Sequence, residues 1–153
     1  PESVRQCAAA GVGEDVKLVA GGKVDRLHGD PLALTGRVRV LHDGTYTELA
    51  VRHGGRRLNH MGLTALVEMQ GRNLLVLTSQ RHPPFSLGQL TCLGIQPQQQ
   101  RILVVKAAIA YKAAYAPIAG AIIEVDTPGL TAVNPERFDY KHIRRPMFPL
   151  DRA

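Results

Sequence analysis

Lys106 interrupts an aliphatic run, Ile102 to Val105, and precedes the alanines of RILVVKAAIAYKAAYAPIAGAIIEVDTPG. A strand followed at once by a helix would set its amine at the strand's carboxyl end, beside a helix amino terminus. Ligands gather at such strand ends, and helix starts attract anions. Asp126-Thr127 would stand at the same end of the next strand. The competing reading is a lysine whose stem lies on the sheet edge while its amine reaches water.

Other donors are present without a spacing that does chemistry. The six histidines are His28, His42, His53, His60, His82 and His142. A catalytic zinc takes about three protein ligands, often paired at short helical or strand spacing. None of the six pairs that way, so they read as solvated loop histidines and no metal ligand is assigned. Cys7 and Cys92 lie far apart and lack an activating context, so they read as buried or half-buried thiols in a reducing compartment. No Gly-x-Ser-x-Gly elbow and no phosphate loop occurs, since Gly11-Val12-Gly13 precedes a strand. Asp25 and Asp30 sit in a loop that fixes no distance between them. No catalytic residue is assigned.

The elements that would position Lys106 can be read from pattern. A short helix opens the chain and stops at Gly11, and DVKLVA, Asp15 to Ala20, reads as a strand. Leu32 to Leu41 alternates apolar and polar residues, a half-buried strand. Asp43-Gly44 reads as a tight turn returning Thr45 to Val51 as its hairpin partner. Thr64 to Met69 and Asn73 to Thr78 flank Gln70-Gly71-Arg72, a second hairpin, which Arg81-His82-Pro83-Pro84 ends. Ser86 to Leu93 reads as a helix capped by Ser86. Ile102 to Val105 and Ala121 to Val125 then read as buried parallel strands around a helix over 107–119. Tyr111, Ala114, Tyr115 and Ile118 form the stripe of that helix, and Pro117 ends it. Pro128-Gly129 is a turn, and from Thr131 the chain is a proline-punctuated tail. The expected fold is therefore α+β: one domain whose mixed sheet joins antiparallel hairpins to a C-terminal βαβ unit.

Bulk properties agree with a packed domain. The 153 residues are 44% hydrophobic and 21% charged, which suits a globular chain and not a disordered one. No apolar run reaches the ~18 residues that span a membrane, and no secretory leader opens the chain. The net charge is +6, yet the cations are scattered and aromatics are only 5%, so nucleic acid is not an expected partner. Pro1 in place of methionine is read as a piece of a longer chain.

The same residues resemble a family. RILVVKAAIAYKAAYAPIAGAIIEVDTPGL and YKHIRRPMFPLD look like the C-terminal domain of the microcystinase C (MlrC)-like zinc metallopeptidases. LNHMGLTALVEMQGRNLLVLTSQRHPPF, LGIQPQQQRILVVK and the opening PESVRQCAAAGVGEDVKLVAGGK are similar to the same domain, in the same order, over nearly the whole chain. The resemblance implies a module over residues 1–153 of a cytoplasmic enzyme, whose zinc belongs to an N-terminal metallopeptidase domain absent here. It implies packing on that domain, a peptide-like substrate, and Lys106 and Arg81 as substrate-binding residues. It leaves room for a homo-oligomer, and for a docking or structural module with no catalytic part. The family pattern Lys-Ser-Ser, then His-Phe-Arg, is kept at Lys106 but replaced at Ala107, Ala108 and Ala110, with Tyr111 and Lys112 standing for the aromatic and the arginine.

Overall fold

The computed structural model describes residues 1–23, 29–50, 56–127 and 134–151. Two compact units are present: Pro1–Ala20 with Leu32–Ile122, and Gly21–Pro31 with Ile123–Ala153.

The first unit is built on a four-stranded antiparallel sheet. Its strands are β1 (Asp15–Ala20), β2 (Leu32–His42), β5 (Thr64–Met69) and β6 (Asn73–Thr78), in the order β1-β2-β5-β6. Between β2 and β5 in sequence, β3 (Thr45–Thr47) and β4 (Leu58–His60) form a small antiparallel ribbon. Helix α1 (Glu2–Ala10) places Val4 and Cys7 one turn apart on a single buried stripe. It ends where Gly11 takes φ 96°, and the Gly11 N–H donates to the Cys7 carbonyl.

Strand alternation sends successive side chains to opposite faces, so the sheet has two cores. Toward α1 point Val16, Leu18, Val38, Ala65 and Val67, which pack with Val4 and Cys7. Toward the other face point Leu66, Val40 and Val76, which pack with Leu90, Leu93 and Ile95. These last residues belong to or follow helix α2 (Gly88–Thr91). A register shift between Val38 and Val40 explains how β2 serves both faces. Arg39 is the extra residue of this bulge, so Leu34 and Val38 face α1 before it and Leu41 faces α1 after it. Without the bulge, Leu41 would fall on the opposite face.

The α+β class holds, and so do α1, β1 and the β5–β6 hairpin with Gly71 at φ 75°. Other expectations need correction. β3 pairs with β4, not with β2, because β2 spends its two edges on β1 and β5. The helix expected over 86–93 is the shorter α2, although Ser86 Oγ accepts from the Gly88 N–H as a start signal would require. The βαβ unit is absent among the described residues: neither Ile102 to Val105 nor Ala121 to Val125 is paired as a strand. The helix between them shrinks to α3 (Lys112–Tyr115) and a single 3-10 turn, Ala116–Ile118. Ala114 and Tyr115 of its expected stripe are buried, and Pro117 closes it. Buried parallel strands need layers on both faces and partners on their edges, and these runs have neither here. The Pro128-Gly129 turn lies outside the described residues.

The second unit is held by polar contacts of its own. Arg137 pairs with Asp126 at 2.8 Å, and the Asp151 carboxylate accepts from Arg145 and from the Met147 N–H.

Candidate functional site

Arg81 follows β6, and the chain on its amino side stays tied to the loop before β5. The Ser79 N–H donates to the Leu63 carbonyl at 2.9 Å, and that of Gln80 to Met61 at 3.0 Å. Beyond Arg81, Pro83 and Pro84 have no N–H to donate, so side chains must fix the loop. His82 does this. Its Nε2 lies 2.9 Å from the Tyr46 hydroxyl, and its ring packs 5.2 Å from Phe85 and edge-on to Tyr46 at 5.9 Å. Arg81 itself is exposed on this braced loop.

Beneath the loop lies a buried polar layer of Tyr46, Glu48, Asn59, Ser86 and Gln89. Ser86 Oγ accepts from the Gly88 N–H at 2.9 Å, and Gln89 Oε1 accepts from the Ser86 N–H at 3.4 Å. Gly88 packs so closely on Tyr46 that an added Cβ would lie 2.5 Å from the tyrosine ring. Asn59, opposite Tyr46 in the β3–β4 register, donates to the Arg57 carbonyl at 3.2 Å. Its Oδ1 is buried without a hydrogen bond among the described residues.

Electrostatics define what this layer can do. Burial pushes the Tyr46 phenol up to about 12, against the lowering effect of the Ser86 hydroxyl. Burial, with help from the positive charge of Arg56, pushes His82 below its ordinary value. Both shifts favour uncharged forms, so near neutral pH a protonated phenol can donate to a neutral imidazole. The two side chains are joined by the 2.9 Å contact between the Tyr46 hydroxyl and His82 Nε2, a structural pairing. It is well matched to holding the Arg81 loop in place.

Lys106 sits on an irregular segment before α3 and is exposed, not at the carboxyl end of a strand. Lys106 and Arg81 both belong to the first unit. Of the other histidines, Nδ1 of His42 accepts from the Gly44 N–H at 2.9 Å, and His60 meets Thr45 Oγ1 at 3.0 Å. His42 and His82 are therefore half-buried structural groups instead of solvated ones, while His142 is exposed and His28 and His53 lie outside the described residues. Among the described residues, no three His, Cys, Asp or Glu side chains gather as metal ligands. No hydrolytic step is derived from the described residues. Cys7 is buried and Cys92 half-buried, both free, and burial raises both thiols. No helix among the described residues is long and apolar enough to cross a membrane.

Sequence reasoning missed Tyr46 and Asn59, because β3 and β4 are three residues each and carry no period to read, and Gln89, because α2 is a single turn of four residues. The double proline after His82 was the available signal: a loop with two backbone N–H donors missing relies more on side-chain anchors.

The sequence profile of the family described as "MlrC C-terminus" matches residues 1–142. Among solved structures, the chain is similar to the crystal structure of a "Putative metallopeptidase" from Mesorhizobium sp. BNC1, with a TM-score of 0.81 and 28% identity. That similarity covers 100% of this chain and 30% of the Mesorhizobium chain. No curated protein matches.

Proposed function

This chain belongs to the MlrC C-terminal domain family, and from that premise we propose that it is the C-terminal part of a zinc metallopeptidase. It packs on the domain that carries the metal and walls the cleft for a peptide or amide substrate. The carrying observation is the family match over residues 1–142, in a chain that spans 30% of the Mesorhizobium protein. A zinc ion held in the rest of such an enzyme would supply an activated water. The residues here bind and orient. Lys106 and Arg81 offer exposed cations for a substrate carboxylate, and the His82–Tyr46 contact limits the motion of the Arg81 loop. Two free thiols fit a cytoplasmic enzyme.

In the longer enzyme, Lys106→Ala and Arg81→Ala are expected to raise KM about tenfold each, the scale of one lost charged contact. Unchanged kinetics in both variants removes the substrate-binding role. A docking module without catalytic contribution is the second reading. It is favoured by Ala107, Ala108 and Ala110, which put methyl groups where the family pattern carries serines and a histidine. Restoring serine at 107 and 108 separates the two readings: a gain in kcat/KM supports the cleft, and no change supports docking alone.

A further inference from the structure

The segment Ile102–Lys106 has the sequence of a strand, the exposure pattern of a strand, and no strand beside it among the described residues. Exposure alternates residue by residue: Ile102, Val104 and Lys106 are exposed, while Leu103, Val105 and Ala107 are half-buried. That is the period of an extended chain presenting one face. The outer face is aliphatic, with Ile102 at 82% and Val104 at 95% exposure. The backbone is equally open. Among the described residues no backbone N–H from Ile102 to Lys106 donates to another backbone group; the one contact is the Val105 carbonyl accepting from Ala107.

Isolated exposed valines are ordinary, but an aliphatic face joined to an unpaired extended backbone is the form of an edge that accepts a strand. The aliphatic strand β5, by contrast, is paired on both edges, by β2 and β6. We propose that Ile102–Lys106 is a docking strand, completed by the part of the longer polypeptide outside this chain. That occupant follows from length. The chain accounts for 30% of the Mesorhizobium protein, so more than two thirds of that protein has no counterpart here. Because Lys106 shares the outer face with Ile102 and Val104, docking carries its amine to the border of the joined surface. The inference rests on the proposed function in taking the partner to be the rest of the same enzyme, and it names the contact that joins them.

Hydrogen–deuterium exchange tests it directly, on this chain and on the longer polypeptide. Amides of Leu103 to Lys106 are expected to exchange within seconds in this chain and at least a hundredfold more slowly in the longer polypeptide. Val104→Lys is expected to abolish that protection, while moving the melting temperature of this chain by no more than about 2 °C. Val104→Thr, which keeps the branched shape, is expected to retain most of it. Fast exchange in both forms overturns the proposal. Protection in this chain alone that grows with its concentration also overturns it, since the partner would then be a second copy. The kinetic test of Lys106 is independent: unchanged KM with a protected strand removes the substrate role and leaves the docking strand standing.

Discussion

The sheet strand Thr64–Met69 and the segment Ile102–Val105 are both runs of Leu, Val and their like, yet they meet opposite fates. The first lies between two neighbours, with Ala65 and Val67 on one core and Leu66 on the other. The second has no neighbouring strand among the described residues, and leaves Ile102 and Val104 in water. Composition alone therefore does not make a strand. An extended segment is stabilised by ladder bonds and by layers that cover its faces, and both come from elsewhere in the chain or from outside it. The sheet finds them within the first unit. The later segment lacks them among the described residues.

Substitutions can widen or erase that contrast. Leu18→Ala, at a site only 2% exposed, is expected to cost about 2–5 kcal/mol, read by urea unfolding. A loss below 1 kcal/mol would mean that the sheet core is no better packed than the open segment. Gly88→Ala drives a methyl group into the Tyr46 ring and is expected to cost about 1–3 kcal/mol. It should also broaden the NMR signals of His82. Tyr46→Phe removes the hydrogen bond to His82 at a cost of about 1 kcal/mol, leaving the imidazole in its half-buried place with one partner fewer.

The Tyr46 phenol and the His82 imidazole each give the pH profile a slope of known sign. The Tyr46 pKa is raised in the folded state, from 10.0 to about 12, so its contribution is full below pH 10 and is lost as pH climbs from there toward 12. The His82 pKa is lowered from 6.5, so the unfolded chain binds the proton first and stability falls as pH drops below 6.5. His82→Gln should flatten the acidic edge and leave the alkaline one intact; unfolding followed at several pH values decides this. The smallest effect is expected at the open segment, where Val104→Ala should change the stability of this chain by less than about 0.5 kcal/mol.

Legibility followed the same division. Elements whose partners are close in sequence were readable: α1 with its glycine stop, β1, and the β5–β6 hairpin closed by Gln70-Gly71-Arg72. The β2–β3 hairpin was misread because Asp43-Gly44 has turn chemistry whichever strands it joins; here β3 turns away to meet β4. The candidate site was legible only as far as its charges. Lys106 and Arg81 stand out by type, but the layer under Arg81 does not, since Tyr46, Asn59, His82 and Gln89 come from separate short elements. His82 reads as a loop residue in sequence, and only its contacts with Tyr46 and Phe85 turn it into an anchor.

The linear order of residues was enough to establish an α+β chain of ordinary globular composition, its local hairpin, its first helix and its kinship with the MlrC C-terminal domains. Those properties depend on periodicity, turn residues and motif order, which are local and need no distant partner. Which aliphatic runs become sheet, which face each strand shows after the bulge at Arg39, and which polar groups gather under the Arg81 loop were decided by tertiary structure. Ladder bonds and burial are pairwise, and a residue acquires them only when the fold brings its partner to it.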